Sequence, residues 1–228
     1  MDEAIERALA PGMMIDSDHP AVVAFAHEAA GSGSANERER VVRLYYAVRD
    51  RFRYDPYKVD LSIDGLKASR VLADGFGWCV PKAVLLAAAC RVIGVPARLG
   101  LADVRNHLSS ANLRATMGTD IFYRHGYTAI HLDGRWVKAT PAFNASLCHK
   151  FGLHTLEFDG RADSICQPFD IAGNQYMDYV AFHGEFDDLP RDDLLQVFAE
   201  HYPNLPRLDS ASWEDDVAAE TGKTKINP

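Results

Sequence analysis

The spacing of apolar and polar positions divides the chain into segments of recognisable type. Val41, Leu44, Tyr45 and Val48, with Phe52 beyond them, recur at helical spacing and predict an amphipathic helix over Glu37–Arg51. Asn36 stands at its N-cap, and Glu39 three residues on completes a capping box. Asp55-Pro56 ends this element in a turn, and Ser62–Ala73 predicts a second, short helix followed by Gly75 and Gly77. Ala83–Cys90 is a run of eight uncharged residues bracketed by Lys82 and Arg91. A helix that is apolar on every side is a buried one. Pro81 suits its first turn, where a missing N–H costs nothing, and Gly94 and Pro96 terminate it.

Beyond that helix, Ala97–Val104 reads as a strand and Arg105–Asp120 as a long polar loop. Ile121–Leu132 alternates and is rich in aromatic and β-branched residues, so it reads as a strand. Asp133-Gly134 signals a hairpin turn, Arg135–Ala139 is the return strand, and Thr140-Pro141 ends it. A buried helix followed by an antiparallel meander is an α+β pattern. Pro190–Tyr202 predicts a helix with Leu194, Val197, Phe198 and His201 on one side. Leu208–Pro228 reads as a loosely held tail. The expected organisation is one domain over 1–205, with a core at 40–145, an acidic extension over 150–205, and a tail at 206–228.

Composition adds exclusions. The 228 residues are 47% hydrophobic and 25% charged with a formal net charge of −8, which is ordinary globular usage. An acidic balance argues against a general nucleic-acid surface and against polybasic attachment to anionic membrane. Thr155–Leu195 holds ten acids and two bases, so this stretch alone carries the whole net charge of −8. It reads as a solvated surface, and if folded over a cleft it would favour cationic substrates or a basic partner. The acidic start Met1-Asp2-Glu3 lacks the basic-then-apolar pattern of a secretory leader, which leads to the expectation of a cytoplasmic protein. Four cysteines (Cys79, Cys90, Cys148 and Cys166) are too few for a disulfide scaffold of this length. Cys148, His149, His154 and Cys166 match no compact zinc spacing, so neither metal nor cofactor is expected.

The candidate chemistry centres on Cys79. It precedes the buried helix, so its sulfur would face unpaired N–H groups and the positive end of the helix dipole, which favour a thiolate. The same N–H groups could hold an oxyanion during acyl transfer. His125, on the following strand, could accept the thiol proton, and the hairpin brings Thr140-Pro141 beside that strand, where a third group could orient the imidazole. Trp78 and Tyr127 are candidates to line a substrate pocket. His107 is open between substrate contact and plain loop hydrogen bonding. Cys90 and His131 read as structural.

Four motifs in order carry a resemblance: Gly77-Trp78-Cys79, Gly94-Val95-Pro96-Ala97-Arg98, His125-Gly126-Tyr127 and Gly134-Arg135-Trp136-Val137. Together they resemble the transglutaminase-like superfamily over Tyr45–Asn144. The resemblance implies an α+β fold with a papain-like core, in which a buried helix packs on an antiparallel sheet, here with helical N- and C-terminal extensions. It implies that Cys79 is the nucleophile and His125 the base. The family's aspartate falls at Thr140, whose hydroxyl can accept a bond from the imidazole but cannot balance its charge. Asn144 is a second candidate for that role, and register favours Thr140. The expected activity is thiol-dependent acyl transfer on a peptide, amide or amine substrate, as a cysteine peptidase, amidase or transamidase. The rival is a catalytically weak or inactive binding module of the same fold.

Overall fold

A computed structural model describes residues 2–32, 36–106, 110–165, 169–173, 177–205 and 211–222. Three helices open the chain: α1 (Glu3–Arg7), α2 (Pro20–Ala30) and α3 (Glu37–Arg51). The Asn36 side chain caps α3 by accepting from the Glu39 N–H at 2.9 Å, as the capping pattern predicts. Strand β1 (Arg53–Tyr54) follows, then a 3₁₀ turn (Asp64–Leu66), helix α4 (Ala68–Asp74) and strand β2 (Phe76–Gly77). The single helix predicted over Ser62–Ala73 is therefore two pieces, broken at Lys67. β1 and β2 pair in parallel, Arg53 opposite Phe76 and Tyr54 opposite Gly77.

Helix α5 (Cys79–Val92) is the centre of the fold. All its residues from Cys79 to Arg91 are buried, as its uniformly apolar pattern requires. Strand β3 (Ala97–Asn106) follows, then helix α6 (Ala111–Met117), strands β4 (Ile121–Leu132) and β5 (Arg135–Ala139), helix α7 (Ala145–Phe151), strand β6 (Met177–Phe186) and helices α8 (Arg191–His201) and α9 (Trp213–Thr221). The main sheet is antiparallel throughout, in the order β5-β4-β3-β6. The hairpin signal holds: Asp133 and Gly134 both take positive φ, as a two-residue turn between right-twisted strands demands.

Three expectations are corrected. Arg105–Asp120 is not one loop, because it contains α6, capped by the Ser110 hydroxyl on the Leu113 N–H. Within the tail, α9 buries Trp213 and Val217, so the stretch 211–222 is not loosely held. Its acids also tie it down: Glu214 pairs with Arg53, Asp216 accepts from the Tyr57 hydroxyl and from Asn112, and Glu220 accepts from the Ala111 N–H. The acidic stretch is not simply a solvated face. It supplies β6, and several of its carboxylates turn back on the chain. Asp188 accepts from the N–H groups of Met13, Met14 and Ile15. Asp187 bonds Arg7 and Arg98, and Asp193 bonds Arg124. Among the described residues no helix is long and apolar enough to cross a membrane.

Candidate functional site

Cys79 is the first residue of α5, and Trp78, in extended conformation, is its N-cap. The opening turn of a helix leaves N–H groups unpaired. Pro81 has none to offer, and the Lys82 N–H already bonds the Trp78 carbonyl. The Cys79 and Val80 N–H groups remain, and both are directed at the Cys79 sulfur, joined by the Gly126 N–H from β4. These donors favour a thiolate, but burial outweighs them and pushes the thiol up to about 11. At neutral pH Cys79 rests as the thiol.

Close approach of α5 to β4 depends on Gly126. A Cβ there would stand 2.8 Å from the Val80 Cα and 3.1 Å from the Cys79 carbonyl oxygen. Nearby, the Thr128 hydroxyl donates to the Ala83 carbonyl at 2.9 Å and fixes the register of helix on strand.

His125 precedes Gly126 and is 2% exposed. Its entry is shaped by an irregularity: pairing of β3 with β4 shifts between Ala102 and Val104, and Arg124 sits at φ 58°. The Asp103 carboxylate accepts from the Arg124 N–H at 2.9 Å, and the Arg124 guanidinium reaches Asp193 on α8 at 2.6 Å. A left-handed non-glycine backbone is strained, and here ion pairs from two other elements hold it. Nε2 of His125 is buried and has no hydrogen-bond partner among the described residues. Burial pushes the imidazole down to about 4.

That shift predicts acid sensitivity. Between about pH 4 and the ordinary histidine value the unfolded chain binds the proton that the folded chain refuses, so stability falls with pH across that window. The full effect is about 3 kcal/mol, at one unit per ~1.4 kcal/mol. Denaturant melts of wild type and His125→Phe between pH 7 and 4 should show this slope shrinking in the variant. An equal slope in both would refute it.

The pairing of Thr128 with Ala139 puts Thr140 one step further, on the face of the sheet that carries His125. Thr140 is 3% exposed, its carbonyl accepts from the Tyr45 hydroxyl at 3.3 Å, and its Oγ1 is buried without a partner among the described residues. Asn144 is engaged elsewhere. Its Oδ1 accepts from the Tyr54 N–H at 3.2 Å and its Nδ2 donates to Ser146 at 2.7 Å.

Cys79 and His125 line one apolar cavity of about 40 Å³, walled by Tyr54, Trp78, Phe198 and Tyr202. That is room for about one water molecule. Trp78 is thus beside the thiol, its ring tilted against Phe198 of α8 at 5.5 Å. The Tyr202 hydroxyl is clamped between the Ile121 carbonyl at 2.8 Å and the Tyr123 N–H at 2.5 Å. This aromatic cover from α8 carries no motif; only the apolar side of the helix hinted that it docks. Tyr127 does not line the cavity. Its ring lies over Gly100 and against Phe182, and its hydroxyl donates to Glu185 at 3.4 Å. Its cross-strand pairing with Gly100 sets the ring over the glycine of β3. His107 and Cys166 lie outside the described residues. No group of three or more potential metal ligands occurs among the described residues.

The family model of the transglutaminase-like superfamily matches residues 24–141, just over half of the chain. Two solved structures are similar to it. One is a putative cysteine protease from Cytophaga hutchinsonii, at 16% identity and TM-score 0.49, covering 83% of this chain and 58% of that one. The other is a putative protease from Parabacteroides distasonis, at 19% identity and TM-score 0.37, covering 55% of this chain and 25% of that one. The chain thus spans less than two thirds of either. No curated protein matches it.

Proposed function

The chain belongs to the transglutaminase-like superfamily, and from that premise we propose that it performs thiol-dependent acyl transfer on amide or peptide bonds. The observation that supports this reading is the shared cavity: Cys79, at a helix start, and His125, on the strand packed against it, both line the same small space. His125 takes the proton of the Cys79 thiol, and the thiolate attacks the substrate carbonyl. N–H groups around the sulfur, from Cys79, Val80 and Gly126, are the available donors for the oxyanion. Imidazolium returns the proton to the leaving amine, and a thioester remains on Cys79. His125 then deprotonates water, or an acceptor amine, which releases the acyl group and restores the thiol. Substrate reaches the thiol only when Phe198 and Tyr202 move aside. The same opening lets water in and brings the depressed imidazole and elevated thiol back toward their ordinary values.

A specific observation favours the second reading, a weak or inactive module. Thr140 falls where the family's acid is expected, and its hydroxyl has no hydrogen-bond partner among the described residues. Peptidyl fluoromethyl ketones separate the two, because they need both the thiolate and a histidine proton donor. The enzyme reading expects mass addition on Cys79 in wild type and none in His125→Ala. Equal addition in both, or none in either, would leave only the binding module.

A further inference from the structure

Lys82 is fully buried on α5, one turn after Cys79, and takes no part in the chemistry above. Its ammonium donates to three backbone carbonyls: Arg49 at 2.9 Å, Phe52 at 2.7 Å and Ala142 at 2.8 Å. An ammonium has three N–H donors, so none is left over. The acceptors are not scattered. Arg49 and Phe52 close α3, where the last carbonyls lack helical partners and the dipole is negative. Phe52 also leads into β1 and Tyr54, a wall of the thiol cavity. Ala142 lies two residues beyond Thr140. Other ties bridge the same junction: Asn144 to the Tyr54 N–H, and Asp50 to the Ala145 N–H at 3.0 Å.

We propose that Lys82, as the ammonium, is a positioning residue of the site: it fixes the α3–β1 corner and the Thr140–Asn144 segment onto the helix that carries Cys79. The inference rests on the acyl-transfer reading for its functional sense. The geometry stands apart from it. A buried ammonium is costly unless every donor is met, and here every donor is met by a segment that borders the site. Burial pushes Lys82 down to about 7, opposed by Asp50 of α3, with Arg49 of α3 and Cys148 of α7 the other groups that bear on its charge. Methionine would fill much of the same volume and satisfy none of the three carbonyls.

The test uses the full chain. In Lys82→Met, amide exchange should quicken at least about tenfold over 140–144 and 52–54, while β3 and β4 keep their protection. With a fluoromethyl ketone probe, the maximal labelling rate of Cys79 should fall about 100-fold with the probe's half-saturation concentration nearly unchanged, as misplacement of reacting groups predicts. A structural role alone would move exchange across the sheet and would not split the two kinetic constants. Exchange at 140–144 unchanged in the variant would overturn the proposal. Should the variant not fold, the wild type decides. At pH 6, below the value to which burial pushes Lys82, its nitrogen NMR spectrum should hold one lysine ammonium signal shielded from solvent exchange, and the absence of such a signal overturns the proposal. If Cys79 reacts with no probe, acyl transfer fails as a reading, while exchange and ammonium signals still judge Lys82.

Discussion

Thr140→Asp should raise the rate of Cys79-dependent turnover or labelling by about 100-fold. Burial holds the imidazole of His125 near 4. A carboxylate at position 140, on the face of the sheet that carries His125, favours the imidazolium. Thiolate and imidazolium must form together, so a histidine that accepts a proton more readily lowers the barrier to attack. Replacing a triad aspartate by its amide costs about 10⁴ in kcat. An added carboxylate has no supporting bonds of its own, so about 100-fold is a fair share of that span. The new charge is buried, and the variant should melt earlier. A pH–rate profile is the check. The acid limb, set by His125, should move to higher pH as the maximal rate rises. An intact fold with unchanged rate and profile would show that position 140 does not govern the imidazole.

Gly126→Ala should reduce the same rate by at least about 100-fold, at the scale known for ångström misplacements of reacting groups. The obstacle is backbone, not a side chain that can rotate away: the added carbon meets the Val80 Cα at 2.8 Å. Either α5 withdraws from β4 or the strand buckles. Both movements pull the Gly126 N–H from the Cys79 sulfur and turn His125, its chain neighbour, out of line. Overpacking of this kind costs about 1–3 kcal/mol, so the chain should still fold. Thermal melts and probe labelling measured together settle the point. Full activity in a well-folded Gly126→Ala would mean that the helix start and the strand need not be so close.

These expectations grew from features of unequal visibility. The buried helix, the β4–β5 hairpin and the strand that carries His125 are local: eight uncharged residues, an Asp-Gly turn, an alternating strand. Patterns within a dozen residues announce them. β6 escaped because its alternation is blurred by Asp178, His183 and Glu185, and because it is completed by β3, far back in the chain. α6 and α9 escaped for a related reason. Each is short, and each gains from the other, through Glu220 on the Ala111 N–H and Asp216 on Asn112. At the site, residue types at motif spacing pointed to Cys79, His125 and Thr140. That Asn144 holds the Tyr54 N–H, or that Lys82 meets three carbonyls, depends on chain segments 30 to 90 residues apart. No short window contains such a junction.

The aromatic cover over the cavity also bears on how long the protein lasts. Peroxides attack the thiolate form of cysteine, and the damage climbs irreversibly past the sulfenic acid. A protonated sulfur behind Trp78, Phe198 and Tyr202 offers oxidants neither the reactive form nor a path. Shelf life and catalytic readiness are thereby set against each other. On the acyl-transfer reading, every opening of α8 that admits a substrate also exposes the sulfur to ageing.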